Sequence, residues 1–244
     1  MPARIYCDLP LAPSLTVELP SDSVRHVQVL RMQPDDLITL FTGRAGEGEW
    51  DARIVRMTRS SVHVEIVAHR LIERENLAQI HVAVAVPAND RMDTLVEKAT
   101  ELGVSSITPL VAQRSVWKSS ADKIQRKVEH WQGVAIAACA QCGRNTVPKV
   151  HALQTLGAWL DSAPWQSNAS RWIAHTNLSP LASHAQSSHL EHWVLIGPEG
   201  GWSDAEVEWA SQRGFQSLSL GPRVLRTDTA VWAAVWNLSS LPQR

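Results

Sequence analysis

The sequence has few cysteines, no long apolar runs and no leader-like amino terminus. Its 244 residues include three cysteines, too few for a disulfide framework and typical of a reducing compartment. The longest clear apolar stretches, 82–86 and 134–139, are far shorter than the roughly 18 residues of a membrane span. The first residues show no basic region followed by an apolar segment. We therefore expect a cytoplasmic protein without membrane association.

Several common catalytic motifs are also missing. The glycine-rich segment 197–201 is not followed by Gly-Lys-Ser/Thr and is not G-x-G-x-x-G, which disfavours kinases, GTPases and Rossmann dehydrogenases. No G-x-S-x-G elbow supports a nucleophilic hydrolase. Cys139 and Cys142 have C-x-x-C spacing, but no second pair or histidine cluster completes a metal site. The sequence predicts no metal.

Charge and tryptophan are distributed unevenly along the chain. The net charge is −1 and charged residues make up 19%, which excludes an overall basic coat. Residues 114–149 nevertheless carry seven basic and two acidic side chains, either a solvated helix face or an RNA-binding patch. Ten of the eleven tryptophans lie beyond residue 116. Most are predicted to pack in the core, with base stacking as the alternative.

The pattern of apolar residues changes near residue 70. Short alternating stretches at 37–41, 50–57 and 62–66 predict a small β-barrel. A charged stretch at 68–76 is the predicted linker. Beyond residue 80, apolar strands alternate with helical patterns at 90–102 and 121–142, which predicts an α/β domain with a largely parallel sheet. The predicted domains are 1–70 and 71–244.

The last fifty residues repeat one arrangement twice. A strand at 193–197 continues into Gly-Pro-Glu-Gly-Gly, and Ser203 with Glu206 forms a capping box that starts a helix. A strand at 217–220 then leads through Gly221 and Pro222 to a terminal helix beginning near Thr227 or Asp228. Glycine at a strand-to-helix turn lets the backbone approach a ligand closely, and a helix start offers free N–H groups. These loops are predicted to bind a ligand.

With these segments in order, the chain closely resembles the RsmE family of ribosomal RNA small-subunit methyltransferases in the SPOUT superfamily. The matching segments are residues 26–31, 90–93, 98–104, 114–116, 141–144 with 147–148, 196–201 and 220–230. The resemblance implies a PUA-like RNA-binding β-barrel followed by an α/β SPOUT domain with a deep carboxy-terminal trefoil knot. It also implies a homodimer that methylates N3 of a specific uridine in 16S rRNA of the small ribosomal subunit.

The resemblance further assigns a cofactor, S-adenosyl-L-methionine, to the knot loops. The positions that match are Thr176, Ile196, Gly197, Pro198, Gly201, Leu220, Gly221, Val224, Leu225 and Arg226. Two of the loop side chains are candidate catalytic residues. Arg226 is expected to stabilise charge on the uracil, since a guanidinium is always protonated. Glu199 either accepts the N3 proton or caps backbone N–H groups, so the base is left open.

Basic side chains in or near the matching segments are candidates for phosphate contacts. They are Arg25, Arg31, Arg91, Arg114, Lys118 and Arg144. Structural pairing near the site is the alternative for Arg91, Arg114 and Arg144, and simple surface solubility is the alternative for Lys118.

The sequence departs from the family pattern at a few positions. Ala88 and Asn89 stand where a lysine is usual, and Trp202 stands where phenylalanine is common. The first departure removes one expected charge near the RNA. Two other functions stay open: a SPOUT methyltransferase acting on tRNA or on a ribose 2′-hydroxyl, and a non-catalytic RNA-binding assembly factor.

Overall fold

A computed structural model describes residues 2–88, 91–115, 121–175 and 190–240. The chain packs into two compact units. The first comprises the chain up to Glu75 together with Ile136–Val147, and the second comprises Asn76–Ala135 and the chain from Pro148 onward. The sequence predicted two continuous domains that meet at residue 70, without Ile136–Val147 in the first one. That division stays a prediction.

The first unit contains a five-stranded sheet, one complete helix and the end of a second helix that begins in the second unit. Its elements are β1 (Ala3–Tyr6), β2 (Thr16–Glu18), α1 (Ser21–Val29), β3 (Leu37–Phe41), β4 (Glu49–Met57) and β5 (Val62–Arg70). The strand order is β1-β3-β4-β5-β2, with β1 parallel to β3 and the other pairs antiparallel. Alternating residues such as Val62, Val64 and Ile66 are buried in its core, as their period of two predicts.

Two details of the first unit differ from the sequence prediction. The pattern there predicted only strands and turns, but helix α1 is present and buries Ser23, Val24 and Val27. The helix has only nine residues and buries three of them, so its apolar pattern extends over few turns. Strand β5 also continues to Arg70 and therefore takes up the first residues of the predicted linker 68–76. Cross-strand pairing with β4 through Glu49 and Arg70 extends the strand despite its polar sequence.

A buried carboxylate is the electrostatic centre of the first unit. The side chain of Glu49 is 3% exposed and pairs with Arg4 at 2.5 Å and with Arg70 and Arg74 at 3.1 Å. Burial raises the pKa of the Glu49 carboxyl, but the bonds and charges of Arg4 and Arg74 outweigh burial and lower the pKa below its ordinary value. The charged carboxylate therefore stabilises the folded state.

We expect Glu49→Gln to lower the free energy of unfolding by about 3 kcal/mol at pH 7, because it leaves the nearly buried guanidinium of Arg4 without its carboxylate partner. A carboxyl with a lowered pKa stabilises the fold above its unfolded-state pKa and loses this effect as pH falls through the folded-state value. The difference in free energy of unfolding between wild type and variant should thus become smaller as the pH falls below 4.5, the ordinary pKa of a glutamate carboxyl. Urea unfolding at pH 7 and in acid, with the exposed Glu18→Gln as control, measures this. An equal gap at both pH values would contradict the role of the charge.

The second unit is an α/β fold with helices between parallel strands. Its elements are β6 (Gln79–Ala85), α2 (Met92–Glu101), β7 (Ser106–Val111), α3 (Ala121–Cys142), β8 (Lys149–Val150), β9 (Gln154–Thr155), α4 (Leu156–Ser162), β10 (Ser170–Ala174), β11 (Glu191–Ile196), α5 (Asp204–Gln212), β12 (Gln216–Leu218) and α6 (Thr227–Ser239). From Ile136 onward, α3 belongs to the first unit. The predicted start of α2 at Asp90 lies outside the described residues.

The sheet of the second unit is parallel throughout. Its strand order is β12-β10-β11-β6-β7-β8, with β9 also paired to β7, and every pair runs in the same direction. The α/β prediction with a parallel sheet is confirmed. Strands β10, β11 and β12 are neighbours, so their carboxyl ends lie at one edge, where ligands of such sheets usually bind.

Of the nine tryptophans of the second unit that the structure describes, five are buried. Trp159 and Trp193 lie in one buried cluster with Phe215, and Trp131 and Trp172 are also buried. Burial of these rings favours packing over base stacking for these four positions. Among the described helices, none combines the length and apolarity needed to cross a bilayer.

Candidate active site

A cavity of about 650 Å³ lies beyond the carboxyl ends of β10, β11 and β12. This volume falls in the range of small-molecule sites. Eight of the ten predicted cofactor positions line it: Ile196, Gly197, Pro198, Gly201, Leu220, Gly221, Val224 and Leu225. Thr176 lies outside the described residues. Arg226, the tenth position, is not among the described residues that line the cavity, although its neighbours Leu225 and Thr227 are.

The 197–202 loop, which follows β11, forms one wall of the cavity. The N–H of Gly201 donates to the Pro198 carbonyl at 2.8 Å, which closes a tight turn. Gly201 has a φ of +67°, a conformation that glycine adopts without strain. The Thr227 hydroxyl, at the start of α6, donates to the Gly197 carbonyl at 3.1 Å. This bond connects the start of α6, which follows the second glycine-containing loop, to the 197–202 loop.

The helix that follows this loop begins as its sequence predicts. Ser203 caps α5, and its side chain and that of Glu206 form the reciprocal capping box. The Glu206 carboxylate is buried and also accepts the N–H of Gln113 at 2.8 Å. One carboxylate therefore joins the helix start to the segment after β7, a contact that the capping-box pattern alone does not predict.

Arg114 also contacts the 197–202 loop. Its Nη1 atom donates to the carbonyls of Gly200 at 3.1 Å and Trp202 at 3.2 Å, and the residue lines the cavity. Of the two interpretations from sequence, structural pairing near the site is the one that these bonds support.

Glu199 has a backbone partner in the structure. Its Oε1 atom accepts the N–H of Ala88 at 3.1 Å, while the side chain stays exposed at the cavity. The loop after β6 is thus attached to the loop after β11. This bond favours capping of a backbone N–H over proton transfer for that oxygen, although the donor belongs to a loop and not to the helix start.

Arg226 is the residue before α6. Its side chain is exposed, makes no capping bond and has no hydrogen-bond or ion-pair partner within the described part of the chain. Sequence reasoning missed one further arginine of the same loop: Arg223 lines the cavity and is also exposed. Its position within the second glycine-containing loop is the signal that identifies it.

Comparisons with known proteins match this arrangement. Residues 73–239 match the model of an RNA methyltransferase domain, and residues 19–67 match that of an RNA methyltransferase PUA domain. The ribosomal RNA small subunit methyltransferase E of Synechocystis is 30% identical over 93% of this chain and 73% of its own length. The chain belongs to the ribosomal RNA small subunit methyltransferase E family.

Two further relatives agree with this membership. The family member of Bacillus subtilis is 29% identical over 88% of this chain and 86% of its own length. The crystal structure of the Neisseria gonorrhoeae family member, bound to S-adenosyl methionine, has a TM-score of 0.91 and 33% identity, covering 99% of this chain and 98% of that one. The predicted resemblance to this methyltransferase E family, with its PUA-type amino-terminal region, is confirmed.

The remaining phosphate-contact candidates of this methyltransferase E chain lie in different environments. Arg25 and Arg31 are exposed in the first unit, and Arg91 is half-buried immediately before α2. Arg144 is 6% exposed and pairs with Glu75 at 2.5 Å within the first unit. The structure therefore gives Arg144 a structural pairing instead of a free cationic surface. Lys118 lies outside the described residues.

The cavity residues fit the nucleoside cofactor that the family resemblance implies. Gly201 and Gly221 both line the cavity, and a Cβ built on either would meet no atom within 4 Å apart from its chain neighbours. The N–H groups of Glu199, Gly200 and Trp202 have no hydrogen-bond partner within the described residues. Backbone donors and an open glycine surface suit a ligand bound mainly through the main chain. Among the described residues, no group of three acidic, histidine or cysteine side chains suits a metal ion.

Proposed function

We propose that this protein methylates N3 of a specific uridine in the 16S rRNA of the small ribosomal subunit, with S-adenosyl-L-methionine as methyl donor. The observation that carries this proposal is the cavity at the strand ends, lined by the glycine loops of a chain in the methyltransferase E family. The Neisseria gonorrhoeae relative, covered almost completely by this chain, binds the same cofactor.

The 197–202 loop and the loop after β12 hold the cofactor in this proposal. The free N–H groups of the first loop bind its polar atoms, and Leu220, Val224 and Leu225 contact its apolar surface. When bound, S-adenosyl-L-methionine supplies a methyl group on a positively charged sulfur, whose bond to that carbon breaks as the bond to N3 forms. The loops fix the direction of approach, since in-line geometry lowers the barrier.

Methylation at N3 requires loss of the N3 proton, which leaves negative charge on the uracil until transfer of the methyl group neutralises it. Arg226 stabilises this charge, since it is exposed, unpaired among the described residues and adjacent in sequence to two cavity-lining residues. Arg223 lies on the same loop and adds positive charge at the cavity. Glu199 has one carboxylate oxygen without a partner among the described residues, and this oxygen is the candidate acceptor for the proton, with loop attachment as the alternative role of Glu199.

RNA recognition uses the first unit in this proposal. N3 lies on the pairing edge of uracil, so the nucleotide must be unpaired to react. The exposed Arg25 and Arg31 contact phosphates and contribute affinity that falls with salt. The homodimer, the trefoil knot and a cytoplasmic location complete the proposal on the strength of the family resemblance.

The test is incubation of the purified protein with labelled S-adenosyl-L-methionine and small subunits from a strain that lacks the modification. Mass spectrometry of digested nucleosides should reveal labelled 3-methyluridine. A labelled ribose would show that the enzyme methylates a ribose hydroxyl instead of N3. Label in tRNA only would show that its substrate is tRNA. Cofactor binding that is absent by calorimetry, with RNA binding retained, would indicate a non-catalytic RNA-binding factor.

A further inference from the structure

The segment after β7 contacts both the 197–202 loop and the first turn of α5. Besides the two bonds from Arg114, the Gln113 N–H reaches the buried carboxylate of Glu206. The approach is close as well, because a Cβ built on Gly200 would lie 3.1 Å from the Cβ of Arg114. The two chain segments therefore pack in direct contact, and a side chain on Gly200 would require Arg114 to shift by a few tenths of an ångström.

The bonds of Arg114 determine how the loop's peptide groups are used. The peptide between Gly200 and Gly201 gives its carbonyl to Arg114 and its N–H to Pro198. The peptide between Trp202 and Ser203 gives its carbonyl to Arg114 and its N–H to Glu206. Both peptide planes are thus held at each end. The N–H groups of Glu199, Gly200 and Trp202 have no hydrogen-bond partner among the residues that the structure describes.

We propose that Arg114 is a positioning residue for the cofactor, which acts by holding these two carbonyls so that the free N–H groups of the loop face the cavity. This inference rests on the proposed function and assigns the residue a role other than the RNA phosphate contact that its charge suggests. Guanidinium suits the role because the N–H groups of Nη1, which makes both bonds, are fixed in the plane of the group, whereas an ammonium group rotates freely.

The expected effect is a loss of cofactor affinity with an intact fold. Two charge-assisted bonds to exposed carbonyls correspond to a loss of about tenfold in affinity, or about 1.4 kcal/mol. Since Arg114 is exposed, its replacement leaves the buried core unchanged. In Arg114→Lys, which retains charge and a donor, affinity should recover partly.

Calorimetry with S-adenosylhomocysteine as the probe tests this for the wild type, Arg114→Gln and Arg114→Lys. The matched control is Arg126→Gln, an exposed arginine on α3 with no partner within the described residues. We expect about a tenfold weaker dissociation constant for Arg114→Gln and an unchanged one for Arg126→Gln. In activity assays, KM for the cofactor should rise while kcat at saturating cofactor stays within about twofold.

Hydrogen exchange on the unliganded protein gives a readout that does not depend on catalysis. In Arg114→Gln, the amides of Gly201 and Ser203 should lose protection, while those of β11 keep it. Loss of protection across the whole second unit would show a general folding role and overturn the proposal. If Arg114→Gln binds the cofactor with wild-type affinity and only its RNA binding is weaker, the proposal is wrong and Arg114 contacts an RNA phosphate instead. If the wild type itself binds no S-adenosylhomocysteine, the proposed function fails, and this inference fails with it.

Discussion

Replacing Arg226 with alanine is expected to lower the methylation rate constant by about a hundredfold, the typical cost of removing one donor that stabilises developing charge. Cofactor affinity should stay within about threefold of the wild-type value, because the proposed contact of Arg226 is to the reacting uracil and not to the bound cofactor. Arg226 lies outside the cavity-lining set, yet its neighbours Leu225 and Thr227 belong to it. Single-turnover methylation of small subunits, with calorimetry for the cofactor, separates the two effects.

The fold itself should tolerate this substitution. The Arg226 side chain makes no capping bond to α6 and is exposed, so alanine removes no stabilising contact within the described residues. Arg126→Ala is the matched control for a general loss of positive charge, and Arg226→Lys tests whether charge alone suffices. A normal methylation rate in Arg226→Ala would refute the assigned role and direct attention to Arg223.

Glu206→Gln is expected to destabilise the second unit by about 3 kcal/mol and to weaken cofactor binding more than tenfold. The buried carboxylate accepts the N–H of Ser203 at 2.9 Å, the Ser203 hydroxyl at 3.1 Å and the N–H of Gln113 at 2.8 Å. An amide group has one oxygen only, so its NH₂ end would face an N–H donor. Both the start of α5 and the wall of the cavity would be disturbed.

Urea unfolding and cofactor calorimetry measure this prediction. Glu208→Gln is a close control, because Glu208 lies on the same helix but is exposed and, among the described residues, accepts a side-chain hydrogen bond from Gln212 alone, at 3.1 Å. It should change stability by less than about 0.5 kcal/mol, as most surface substitutions do. Equal effects of the two substitutions would show that the buried triple contact is energetically unimportant.

Local chemistry predicted the elements whose signals are confined to a few residues. The capping box of Ser203 and Glu206 starts α5 as predicted, and α6 begins at Thr227. The long helix α3 has the predicted bounds of 121–142, because its apolar period continues over many turns. Helix α1 was missed, since only three buried positions mark its inner face.

The site was predicted in its backbone part and less well in its side-chain contacts. Glycine and proline at strand ends identified eight cavity-lining positions, because those residue types restrict local backbone geometry. The roles of Arg114 and Arg144 were left between RNA contact and structural pairing. A charged side chain has the same sequence signature in either role, and its partners lie 86 and 69 residues away in the chain.

The sequence by itself determined the α/β class of the second unit, the glycine loops and the family, since periodicity and short motifs depend on neighbouring residues. Only the tertiary structure decided that Arg114 holds Gly200 and Trp202, that Glu206 accepts from Gln113, and that Arg226 lies beside the cavity instead of lining it. The physical reason is that these contacts join distant segments of one parallel sheet. Strand order and side-chain direction create them, and neither is written in any local stretch of the chain.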